Sequence, residues 1–85
     1  MPAQKLFDAI SSEVARQLRK EREKRELSLN VLAQKAGLSR QTVSYVEQEV
    51  QSPTLETLLR ITVALDVDLE DVIAEARKRL PRRTR

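Results

Sequence analysis

Residues 27–47 read LSLNVLAQKAGLSRQTVSYVE, and this stretch decides the fold. It holds two short helical patterns separated by one glycine and one serine. Ser28 is suited to cap the first helix, its hydroxyl accepting from a backbone amide one turn on, and Val31, Leu32 and Ala36 follow on one face. Gly37 must end that helix. The residue after a helix usually takes φ > 0, which glycine adopts without Cβ strain, and Gly37 is the one glycine in the 85 residues. Ser39 then caps a second helix in which Val43 and Val46 point inward while Arg40, Gln41, Ser44 and Tyr45 point away. Ala33 is the small residue expected where the two helices cross. Two short helices meeting at a steep angle across such a turn make a helix-turn-helix.

The outward face of the second helix carries the chemistry. An arginine can bond guanine through O6 and N7, and a glutamine can bond adenine through N6 and N7. At the N-terminal end of a helix, both can enter a major groove about 12 Å wide. The stretch is therefore expected to present a base-reading helix to double-stranded DNA.

These residues resemble the lambda repressor and Cro type of helix-turn-helix, the XRE family of bacterial and phage regulators. The likeness runs from about Glu13 to Ile73, through EVARQLRKERE, the stretch quoted above, SPTLETLLRITVALDV and DLEDVI. The resemblance implies an all-α, compact five-helix bundle with helix 3 in the major groove, and a homodimer on a near-palindromic operator. It assigns base contacts to Arg40, Gln41, Ser44 and Tyr45. Contacts to the DNA backbone fall to Ser28, Lys35, Ser39, Thr42, Gln48 and Gln51. It also implies a structural salt bridge between Arg22, late in helix 1, and Glu47, near the end of helix 3. The chain departs from the family's pattern at four positions. Leu29 stands where a phosphate-contacting glutamine is common, Glu26 and Glu49 where the family usually has glycine, and Val50 where a polar or basic residue is usual. The loop after helix 3 is thus less suited to phosphate.

A chain of 85 residues is one domain with a modest core, since small domains bury only about 60% of the surface of the unfolded chain. With 40% apolar and 34% charged residues, and Phe7 and Tyr45 as the only aromatics, the composition is that of a helical domain. There is no cysteine and no histidine, which removes disulfides, thiolate or imidazole metal sites and the usual nucleophile–base pairs. No cofactor and no metal are expected, and an enzyme is the weakest reading. No apolar run approaches the ~18 residues of a membrane span and no secretory signal is visible, so a cytoplasmic location is expected.

The net charge of +3 hides an asymmetry. Residues 1–45 carry nine basic and five acidic side chains, residues 46–76 one and eight, and residues 77–85 six and none. The basic part contains the helix-turn-helix, as it would if one face met phosphate. Solvated faces on an ordinary charged helical protein would look similar.

Leu6, Phe7, Ile10, Val14 and Leu18 recur at three- and four-residue spacing, which predicts one long helix from about Ala3 to Arg25, with residues 1–12 an N-terminal extension of helix 1. Ser11 and Ser12 allow a separate helix capped there instead. Leu6, Phe7 and Ile10 must pack against the chain's own core or another subunit. Pro53 breaks the chain after helix 3 and Thr54 caps helix 4, whose core face is expected to be Leu55, Leu58, Ile61, Thr62 and Leu65. Leu59 and Val63 fall on its far side. With Ile73 they are the expected dimer contacts. Asp68 and Asp71 resemble a capping box opening helix 5, which carries Leu69, Val72, Ile73 and Ala76 on its apolar side. Pro81 ends the DNA-binding domain of residues 13–80, leaving residues 81–85 as a disordered basic tail.

The expected function is a sequence-specific transcriptional regulator, a repressor. The rival is a module whose main partner is protein, either an antitoxin bound to a toxin or an adaptor, and Leu29, Glu49 and Val50 favour it.

Overall fold

The structure, a computed structural model, describes residues 3–80. Five helices follow one another: α1 (Ala3–Lys24), α2 (Leu29–Ala36), α3 (Arg40–Glu47), α4 (Leu55–Leu65) and α5 (Leu69–Arg79). No strand is present among the described residues. Helix α1 runs unbroken through Ser11 and Ser12, because the apolar spacing continues across them. The five-residue segment 81–85 lies outside the described residues.

The starts of α2, α3 and α4 are fixed by hydroxyls. Ser28, Ser39 and Thr54 each hold an extended backbone and accept from an amide three residues on. This satisfies one of the donors that a helix N-terminus leaves orphaned. Helix α5 begins differently: Asp68 stands at the cap but makes no side-chain bond, so the expected capping box is absent. Asp71, one methylene shorter than the glutamate of a capping box, does not reach back. Glu70 and Asp71 in the first turn still suit the positive end of the helix.

The core gathers Val14 and Leu18 of α1, Leu32 and Ala33 of α2, Val43 and Val46 of α3, Ile61 and Leu65 of α4, and Val72 and Ala76 of α5. Thr62 is buried among them, and its hydroxyl donates to the carbonyls of Leu58 (3.0 Å) and Leu59 (3.1 Å) within its own helix. A buried hydroxyl is thereby satisfied without a partner from another element. Two residues assigned to core faces lie outside the core. Val31 is exposed because the inner face of α2 is Leu32, Ala33 and Ala36, one residue step around the helix. Leu55 is 65% exposed, since side chains in a first turn lean toward the N-terminus and here that direction leads past the end of the bundle. Ile73 is also exposed at 37%, at the edge of the apolar side of α5.

Helix α1 packs along α5, α3 and α4, whereas α2 packs on α3 and α4. The radius of gyration is 13.0 Å, above the roughly 12 Å expected for a compact chain of this length, and the long dimension is 44 Å. The excess comes from α1. Its 22 residues make a rod of about 33 Å, whose first turns carry the exposed Leu6 and Phe7.

Candidate nucleic-acid interface

The turn between α2 and α3 is built on Gly37, whose φ of 70° is left-handed. Its amide donates to Gln34 O at 3.2 Å and that of Leu38 to Ala33 O at 2.9 Å, so two carbonyls at the end of α2 find donors. Helix α4 also contributes. The Arg60 guanidinium, held by Glu56 at 2.9 Å, donates to Ala36 O at 3.4 Å and occupies the space where a Cβ on Gly37 would fall. Residue reasoning missed this contact. The signal available was that Arg60 is the one basic residue in residues 46–76.

Helix α3 is set by its two ends. At the first, Ser39 accepts from the Thr42 amide at 3.0 Å, and the two hydroxyls lie 2.7 Å apart. At the second, Glu47 meets Arg22 through two parallel bonds, from Nε at 2.7 Å and Nη2 at 3.0 Å. The third guanidinium nitrogen donates to Leu27 O at 2.8 Å, tying the α1–α2 turn into the same network. Both side chains are largely shielded, at 13% and 7% exposure. The bond with Glu47 holds the Arg22 guanidinium more firmly in its charged form than an arginine in water. A fork-to-fork pair fixes orientation as well as distance, so α3 is clamped to α1.

Between these ends, Arg40 and Gln41 are exposed, and Ser44 and Tyr45 are half-buried. Gln41 Nε2 donates to the Tyr45 hydroxyl at 2.6 Å, and Gln48 Nε2 donates to Ser44 Oγ at 2.8 Å. Within the expected base-contacting group, Gln41 and Tyr45 are thus linked to each other, while Ser44 is tied to Gln48 of the expected backbone contacts. Among the expected backbone contacts, Ser28 and Ser39 sit at the N-termini of α2 and α3, and Thr42 is half-buried beside Ser39. Lys35 is exposed in the last turn of α2, Gln48 is exposed at the end of α3, and Gln51 is exposed in the following loop. Helix N-termini present amide donors and a positive dipole end, both suited to phosphate.

The residues that depart from the family's pattern take distinct places. Leu29 turns against the core. Glu26 (φ 56°) and Glu49 (φ 61°) are left-handed, the conformation that explains why glycine is usual at both. Val50 is exposed. On α4, Leu59 is 44% and Val63 75% exposed.

Five helices on one core, with α2 and α3 joined by a tight glycine turn and α3 displaying polar side chains, define a DNA-binding regulatory domain. A helix-turn-helix family profile matches residues 18–72. The chain belongs to that family, the lambda repressor-like regulators of the XRE type. Its members are DNA-binding transcription regulators, not enzymes. No curated protein and no solved structure matches the chain. Among the described residues, no helix is long and apolar enough to cross a membrane, and no group of acidic residues is arranged to hold a metal ion.

Proposed function

We propose that this protein is a cytoplasmic repressor that binds a near-palindromic operator as a homodimer with α3 in the major groove. Arg40, Gln41, Ser44 and Tyr45 read base edges, while Ser28, Lys35, Ser39, Thr42, Gln48 and Gln51 hold the sugar-phosphate backbone. Leu59, Val63 and Ile73 contribute to the subunit contact. One observation carries the reading: Gln41 stands exposed near the start of α3 with its amide already oriented by Tyr45. An oriented side chain loses less freedom on binding, the use to which a recognition helix puts such a pair.

Selection of bound sequences from a random duplex pool tests it. The expected product is an inverted repeat with half-sites about one helical turn, roughly 34 Å, apart. A pool with no enriched sequence overturns the reading. The exposed Val50 beside Glu49 favours a second function, binding of a protein such as a toxin, which would accompany DNA binding.

A further inference from the structure

Arg60, the one basic side chain of residues 46–76, is turned toward the α2–α3 turn. It lies midway along α4, and Glu56, one turn earlier, holds its guanidinium through Nε at 3.0 Å and Nη2 at 2.9 Å. That leaves Nη1 directed at Ala36 O, 3.4 Å away. Ala36 closes α2, and the C-terminal end of a helix carries the negative end of its dipole, where a cation is favoured. The same nitrogen lies 2.9 Å from the point that a Cβ on Gly37 would occupy. The glycine therefore does two things: it takes the left-handed φ of 70°, and it leaves the hollow in which the guanidinium sits. Two residues further on, Ser39 caps α3, so Arg60 rests where the direction of α3 is set.

We propose that Arg60 is a positioning residue for DNA reading: seated at Gly37, it ties the α2–α3 turn to α4 and so aims α3, without contacting DNA itself. This rests on the assignment of α3 as the base-reading helix and adds what aims it. The amides of Gly37 and Leu38 bond back to α2 alone, and Leu38 packs against the core. Arg60 joins the same turn by polar contact to a third helix, one anchored in the core through Ile61 and Leu65. Helices α2 and α3 have eight residues each, so the two together offer little packing of their own against a rotation at the turn. The chemistry also suits the task. A guanidinium is planar, so two nitrogens bound to Glu56 fix where the third points, whereas a lysine ammonium on its flexible stem has no such plane.

The probes are the duplex selected from the random pool and a shuffled duplex of equal length, and the preference is the ratio of their dissociation constants. The Arg60 side chain is 46% exposed, so its loss leaves the core intact, and circular dichroism at the assay temperature checks that each variant is folded. Arg60→Ala is expected to lower the preference about fivefold or more, the cost of one misplaced base contact. Affinity for the shuffled duplex should stay within about twofold, with the slope of binding against salt unchanged. Arg60→Lys, which keeps the charge, is expected to recover little of the preference. Gly37→Ala drives the guanidinium from its seat, while the strain of an alanine at that φ is the same with or without Arg60 and cancels in a double-mutant cycle. Gly37→Ala is therefore expected to lower the preference less in the Arg60→Ala background than in the wild type. Equal effects in the two backgrounds overturn the proposal. So does an unchanged preference in folded Arg60→Ala, which confines Arg60 to stability. A loss on both duplexes alike, with the salt slope reduced by about one and rescue by Arg60→Lys, makes Arg60 a phosphate contact and overturns the positioning role while α3 still reads bases. A pool with no enriched sequence overturns the reading of α3 and the role of Arg60 together.

Discussion

Gln41, proposed above to read a base, is held in place by Tyr45 at little cost to its pairing groups. A primary amide has two N–H donors and one acceptor oxygen, whereas a paired contact to adenine uses one donor and the oxygen. Gln41 can therefore keep its 2.6 Å bond to Tyr45 while it reads a base. Gln41→Ala is expected to cost about 1–3 kcal/mol on the best operator and to relax preference at one position per half-site. Tyr45→Phe, which keeps the ring and removes the acceptor, is expected to weaken binding by about 0.5–1.5 kcal/mol at that same position. Competition with singly substituted duplexes measures both; a Tyr45→Phe effect at a different position would separate the two residues. Glu26 bears on stability. Its φ of 56° is unfavourable for a side chain, and its negative charge follows the C-terminal end of α1. Glu26→Gly is expected to stabilise the fold by about 0.5–1 kcal/mol, seen as a higher urea midpoint at unchanged slope. The caps at Ser28, Ser39 and Thr54 and the turn at Gly37 were legible because each residue type has one strong local use. Val31 and Leu55 were misread because apolar spacing is ambiguous at the ends of short helices, where a face is defined by one or two residues. The Gln41–Tyr45 bond was within reach, being an i, i+4 pair on one exposed face.

Helices α1 and α3 are joined as elements by Arg22 and Glu47. Because this pair is shielded, removing one partner strands a charge. Arg22→Ala is expected to cost on the order of 3–5 kcal/mol, while replacing both residues by apolar ones of similar size restores much of the loss. Arg22→Lys should rescue little, since an ammonium cannot make two parallel bonds to Glu47 and a third to Leu27 O. Thermal unfolding of the three variants checks this, and a stable Arg22→Ala protein would remove the clamp from the account of α3. The order and lengths of the helices were readable from capping, glycine, proline and apolar periodicity. What crosses between distant elements was not: Ser12 with Glu49 and Arg60 with Ala36 O are separated by 37 and 24 residues, and neither spacing carries a local signal.

At the scale of the whole molecule, charge governs how the domain finds DNA. Residues 1–45, which hold α1, α2 and most of α3, and residues 77–85 are basic, whereas residues 46–76 between them are acidic, and a basic excess attracts phosphate. Raising salt from about 50 to 200 mM is expected to weaken operator binding by a factor on the order of 10³, with Lys35 and Arg40 among the contributors. A titration that is flat in salt would count against phosphate contact. A second consequence follows from the way α3 is fixed, at its start by Ser39 and at its end by Arg22, in a chain with a single glycine. A reading helix held at both ends has no slack with which to follow an ill-fitting groove. The adjustment must then come from the duplex, and the stiffness of the operator enters the affinity. Base pairs midway between the half-sites, touched by no side chain, should therefore alter binding when a flexible step such as TA is exchanged for a rigid A-tract; the protein would be sensing how willingly its DNA bends.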